Sequence, residues 1–221
     1  IKTKSAIRSN KQMLDIGVAG PIAGFIASLG ILIYGFTHLP GVEYILQIHP
    51  NYFSPNYDST GIHLEFGNNL LFVILKSIFT TKSQFVPPMS EIYHYPYLCT
   101  GWFGLFVTAM NLVPVGQLDG GHIIYGMFGS KKHYTIAGIT MSILIILGVL
   151  GIIQSFINLG FNIGWSGWLF WALILFFIIK MKHPEVSEFR ELDVKRQIWG
   201  YFSILIFILS FTPNPFILTM F

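Results

Sequence analysis

Three observations predict an all-α fold, a multi-pass transmembrane helical bundle with about five crossings and one further interfacial or re-entrant segment. Of the 221 residues, 53% are hydrophobic and only 10% charged, where soluble domains carry roughly a quarter charged residues. The apolar residues fall in long uncharged runs, and a helix needs about 20 such residues to cross the ~30 Å hydrocarbon core. The basic residues lie between those runs, as Lys and Arg do in the cytoplasmic loops of membrane proteins. A formal net charge of +3 without a basic patch to track phosphates excludes a nucleic-acid partner. The partner implied is a lipid bilayer.

The predicted crossings are residues 16–36, 97–118, 134–157, 165–179 and 198–218. In the first, Gly20, Gly24 and Ser28 repeat every four residues beside Ala19, Ala23 and Ala27, a face smooth enough for close helix packing. Pro21 predicts a bend there. The fourth is short unless residues 159–164 extend it, and its Trp165, Trp168 and Trp171 suit an interfacial belt. Aromatic stretches such as WSGWLFW read as lipid-facing or interfacial. Residues 64–80 begin with Glu65 and the Asn68-Asn69 pair and hold Lys76, which favours a re-entrant or interfacial segment over a crossing. It lies in a long extracytoplasmic loop, residues 37–96, and residues 182–197 form a charged cytoplasmic linker that is a short helix or loop. With this topology the inside segments, 1–15, 119–133 and 180–197, hold eleven of the 13 basic residues, leaving Lys76 and Lys82 outside. A sixth crossing would split the charges between the two sides. All 221 residues read as one membrane-embedded domain. The single cysteine, Cys99, allows no intrachain disulfide. The chain opens on Ile1 rather than Met and has no signal segment, so a processed or truncated N-terminus is expected.

Chemistry concentrates in TAMNLVPVGQLDGGH, residues 108–122. Within a crossing, Asn111, Gln117 and Asp119 are costly to desolvate and need partners. Pro114 interrupts the helical hydrogen-bond ladder, and Gly116, Gly120 and Gly121 allow sharp turns or close backbone approach. The prediction is an irregular stretch carrying Asp119 near the cytoplasmic interface, buried in protein or lining an aqueous cavity. A carboxylate there suits a metal ligand, a proton relay or an ion-coupling site, and composition does not choose among them. The bland reading is a helix that ends with Asp119 solvated. Elsewhere, Glu91-x-x-His94 has the spacing of half a di-metal carboxylate site. No second half accompanies it and Pro96 follows at once, so no ligand pair is expected. His122 is expected to hydrogen-bond or to sit at the interface.

NLVPVGQLDGGH resembles the Asn-Pro and Leu-Asp-Gly region of the site-2 protease family of intramembrane zinc metalloproteases. DIGVAGPIAGF resembles the family's Gly-Pro-x-Ala-Gly helix, and HPEVSEF with Arg190, Arg196 and FILSFTPNP resembles the C-terminal region of a prokaryotic subgroup, with Glu185 where a second proline is more usual. The resemblance implies a zinc endopeptidase acting on single-span membrane protein substrates, in a bacterial inner membrane with its active site towards the cytoplasm. It also implies one Zn2+ held by two histidines of an HExxH helix and by the Leu-Asp-Gly aspartate, which maps to Asp119. Asn111 is the candidate for orienting the cavity or binding substrate backbone. No HExxH occurs, and no two of His38, His49, His63, His94, His122, His133 and His183 are four residues apart. In the family that helix precedes the glycine helix. Two readings therefore stand: the chain is the C-terminal part of a protease whose HExxH lies upstream, or a homologue without its zinc site that serves as a scaffold. A small ion- or proton-coupled transporter is the remaining alternative. The chain by itself is expected neither to bind catalytic zinc nor to hydrolyse peptides.

Overall fold

The computed structural model describes residues 7–54, 57, 62–157, 163–181, 183 and 186–220. Lys2, Lys4, Lys182, Glu185 and most of the 159–164 extension lie outside them. The protein is mostly helical: α1 (Asn10–Thr37), α2 (Val42–Ile48), α3 (Leu70–Phe79), α4 (Pro96–Leu112), α5 (Asp119–Phe156), α6 (Gly167–Ile174) and α7 (Val194–Ser210). A 3-10 turn, Ile92–His94, precedes α4, and a π turn, Leu175–Ile179, extends α6. Among the described residues two helices, α1 and α5, are long and apolar enough to cross a membrane.

The smooth face of α1 packs on α4. A Cβ on Gly24 would stand 2.9 Å from Thr108 Oγ1, one on Gly104 would run into Ser28 Oγ, and one on Gly101 would run into Leu32. Such small-residue contacts let two backbones approach closely enough for extensive van der Waals contact. The parallel row of Ala19, Ala23 and Ala27 faces outwards and is exposed. Helix α1 continues through the buried Pro21 as one element.

The structure differs from the sequence expectations in four places. First, the fold is not purely helical. Strand β1 (Ile62–Phe66) pairs antiparallel with β2 (Phe216–Met220), Phe66 opposite Phe216. Pro213 and Pro215 cannot continue α7, so the final predicted crossing ends at Ser210 and its last residues turn into β-favouring sequence. Second, the segment 64–80 is split between β1 and α3, where Asn69 caps α3 by accepting from Phe72 N–H at 2.9 Å. Third, residues 119–133 are helical. Helix α5 begins at Asp119 and is interrupted only at Gly129, whose φ of 81° and ψ of 173° leave the helical region. Fourth, the tryptophans are not simply interfacial. Trp168 is fully buried and its Nε1 donates to Pro213 O at 2.7 Å. Trp102 is likewise buried and donates to Gly67 O at 2.8 Å. A buried indole needs such an acceptor, and each ring centres one of two apolar clusters.

Residues 186–193 of the charged linker form a non-helical strap that runs into α7. Glu188 bridges Ser9, and Asp193 caps α7. From α7, Arg196 reaches Asp15 of α1, with Nη2 to Oδ2 at 2.7 Å.

Candidate functional site

Helix α4 stops at Leu112 because Pro114 cannot supply the next N–H, and the chain turns tightly before α5. Val115 N–H donates to Val113 O at 2.8 Å. Gly116 has a φ of +57°, and a Cβ there would collide with Lys180 O. Gly120 is equally constrained: a Cβ would collide with Leu112 O. These two glycines fold the backbone back on itself and place Asp119 as the first residue of α5. A carboxylate at a helix N-terminus faces the unpaired N–H groups and the positive end of the helix dipole.

Asp119 is half-buried, and its Oδ2 lies 3.3 Å from where a Cβ on Gly20 would stand. One turn earlier on α1, a Cβ on Gly17 would stand 3.0 Å from Asp119 O and 2.9 Å from His122 Cβ. The glycines of α1 thus let the start of α5 lie directly against it. Gly20 itself is exposed, as are Ala19 and Ala23 beside it. The carboxylate therefore borders an open, side-chain-poor strip of α1.

Asn111 lies at the end of α4 and is exposed, and its side chain makes no hydrogen bond among the described residues. The partner that a buried Asn would demand is not required there. His122 does hydrogen-bond: its Nδ1 lies 2.6 Å from His183 Nε2. Tyr125 packs on the His183 ring at 4.7 Å, and the buried His133 stands 5.8 Å from it. His183 and Val186 are thereby brought onto the first turns of α5, a contact that no spacing along the chain announces.

Whether these residues could hold zinc is decided by donor count. A zinc site with an open position takes three protein ligands. Among the described residues Asp119 belongs to no group of three or more His, Cys, Asp or Glu ligand atoms lying together. The site supplies one carboxylate, and the other donors of a zinc centre are not beside it in these residues. One such group does exist elsewhere: His49, Glu91 and His94, at the far end of α1. Sequence spacing offered only Glu91-x-x-His94, because His49 lies 45 residues before His94.

The family model described as Peptidase family M50 matches residues 2–153. The chain is 27% identical over 215 residues to the probable zinc metalloprotease EGY2, chloroplastic, of Oryza sativa subsp. indica, covering 95% of this chain and 33% of the relative. It is 24% identical over 221 residues to the protein of the same name from Arabidopsis thaliana, covering 99% and 34%. To the probable zinc metalloprotease EGY1, chloroplastic, of Oryza sativa subsp. japonica it is 29% identical over 151 residues, covering 67% and 23%. The chain spans about a third of the length of the curated relatives it matches. No solved structure matches it.

Proposed function

The chain belongs to peptidase family M50, the site-2 protease family, and on that premise we propose that it is part of an intramembrane zinc metalloendopeptidase that cleaves membrane-anchored, single-span protein substrates. Asp119 is its zinc ligand. The observation that carries this reading is the placement of the Asp119 carboxylate, half-buried at the start of α5 against Gly20.

The other two ligands are expected from an HExxH helix outside this chain, which spans only about a third of its relatives. The open strip of Ala19, Gly20 and Ala23 beside Asp119 offers such a helix a smooth face for close approach. With Asp119 and two histidines as its ligands, a zinc ion there would supply Lewis acidity, bringing the pKa of a bound water from ~15.7 towards ~7. What this chain contributes is position. The turn through Gly116 and Gly120 fixes the start of α5, and the packing of Gly17 against Asp119 O holds the carboxylate at the wall of α1. Asn111, exposed at the end of α4, is the residue proposed to hydrogen-bond the backbone of an extended substrate.

The reading includes an integral membrane location with five crossings, residues 37–96 outside and 182–197 inside. Its support is the arrangement of ends. Asn10, Gly126, Lys180 with Gly116, and the Arg196–Asp15 pair gather at the basic end of α1. The β1–β2 ribbon, α3 and the start of α4 gather at the other. The relatives are described as chloroplastic, and no particular organelle or bacterial membrane is assigned to this chain. A scaffold reading is favoured by one fact, that no two histidines of this chain are four residues apart.

The test uses the full-length protein in proteoliposomes with a single-span reporter substrate. Asp119→Ala is expected to remove bound zinc and to lower cleavage by at least about 100-fold, a loss of the size that removing a group aimed at developing charge produces. Zinc-dependent cleavage that survives the substitution would overturn the proposal, and a wild-type protein with neither zinc nor cleavage would establish the scaffold.

A further inference from the structure

The 3-10 turn Ile92–His94 repeats every three residues, so Glu91 and His94 project from one face. Across from them stands His49, the residue that ends α2. The two imidazoles meet through Nε2 at 2.9 Å. Glu91 Oε2 lies 3.8 Å from His49 Nε2 and 3.6 Å from His94 Nε2. Glu91 is 4% exposed, and its Oε2 has no hydrogen-bond donor among the described residues. A carboxylate oxygen that is buried, unpaired and aimed between two imidazole nitrogens is costly unless a cation sits there.

The triangle has the size of a coordination face. A single point lies about 2.0 Å from all three atoms, matching Zn–N and Zn–O bonds of about 2.0–2.2 Å. The surroundings behave as an outer shell. Tyr57 donates its hydroxyl to Glu91 Oε1 at 3.2 Å, which turns Oε2 inwards, and its ring packs edge-on to His49. Tyr44 donates to the backbone carbonyl of His94 at 2.8 Å, and Tyr93 leans on the His94 ring at 4.1 Å. The His49 and His94 side chains remain 30% and 21% exposed, so solvent reaches one side of the triangle. That leaves an entry path and a fourth position for water.

We propose that His49 Nε2, Glu91 Oε2 and His94 Nε2 bind one divalent transition-metal ion of the zinc class, in a second site separate from Asp119. Binding needs no net proton loss from neutral rings, because a ring protonated at Nε2 can carry its proton on Nδ1 instead. The site stands beyond the C-terminal end of α1, about 26 Å along the helix axis from the Gly20 level where Asp119 lies. A bound ion would tie α2 to the turn that starts α4. Its chemistry is that of a His2Glu centre with an open position.

The test is metal content and Co2+ spectroscopy of the full-length protein in detergent, in an Asp119→Ala background that isolates the second site. That protein is expected to hold about one equivalent of Co2+ with visible d–d bands, and adding His94→Ala should remove that equivalent. Tyr57→Phe should leave the site intact but weaken its affinity about 10- to 100-fold, as removing an outer-shell partner does. Gel filtration and far-ultraviolet circular dichroism establish that each variant is folded; if His94→Ala is not, His49→Gln takes its place with the same expectation. A folded Asp119→Ala protein that binds no Co2+, or one that loses no equivalent on either histidine substitution, overturns the proposal. Failure of the Asp119 reading shows differently: a centre that survived Asp119→Ala would add a second equivalent, and the loss of one equivalent on His94→Ala would still report this site.

Discussion

Asn10 is fully buried in the first turn of α1, and all three of its side-chain hydrogen bonds are long-range. Its Nδ2 donates to Gly126 O at 3.1 Å and to Arg190 O at 2.9 Å, and its Oδ1 accepts from Arg190 N–H at 3.0 Å. One side chain thus joins α1, α5 and the strap before α7. Asn10→Ala leaves buried backbone groups unpaired and is expected to cost about 2–3 kcal/mol, read as a lower unfolding midpoint in detergent; a change under about 0.5 kcal/mol would refute that role. Nothing in the sequence marks Asn10, because its partners lie 116 and 180 residues away. The turn that carries Asp119 was legible for the opposite reason. Pro114, Gly116 and Gly120 carry backbone constraints that are local, and the structure uses Gly116 and Gly120 where a Cβ cannot fit.

At the scale of elements, the start of α7 depends on one carboxylate. Asp193 accepts from Arg196 N–H at 3.1 Å and from the Arg196 guanidinium, while the same guanidinium holds Asp15 of α1. Hydrogen bonds from Arg196 hold the Asp193 carboxyl below the usual carboxylate range. The folded pKa is therefore below the unfolded value of about 3.9, so the unfolded state takes up protons first as pH falls. The cap is fully present above about pH 4 and is lost as pH falls through the folded pKa. Hydrogen exchange at Val194 to Gln197, corrected for intrinsic rates, should accelerate across that interval, and Asp193→Asn should abolish the step. A pH-independent protection in the wild type would contradict the assignment. The helix α1 was readable from its apolar run and its Gly20, Gly24 and Ser28 spacing. The β1–β2 ribbon was not, since its strands are separated by the whole bundle and each reads locally as the end of an apolar run.

For the whole molecule, the charge pattern makes a prediction that does not depend on any single contact. In a Cys99→Ser protein in sealed vesicles, cysteines placed at Lys132 and Lys195 are expected to react with a membrane-impermeant thiol reagent from one side, and a cysteine at Lys82 from the other. Reaction of Lys82 and Lys132 positions from the same side would remove the five-crossing topology. The helical character was determined by the sequence alone, and the proposed membrane location rests on the same features, composition, run length and charge placement, which are additive along the chain. The family was legible for a similar reason: the Leu-Asp-Gly stretch is short, contiguous and built on local backbone constraints. Tertiary structure alone decided the rest. It buried Trp102 and Trp168 on carbonyls far away in sequence, drew His183 onto His122, and closed His49, Glu91 and His94 into a triangle. Those pairings depend on which helix faces meet, and in an apolar chain many faces are chemically alike until small residues such as Gly24 and Gly104 fix how closely two backbones can approach.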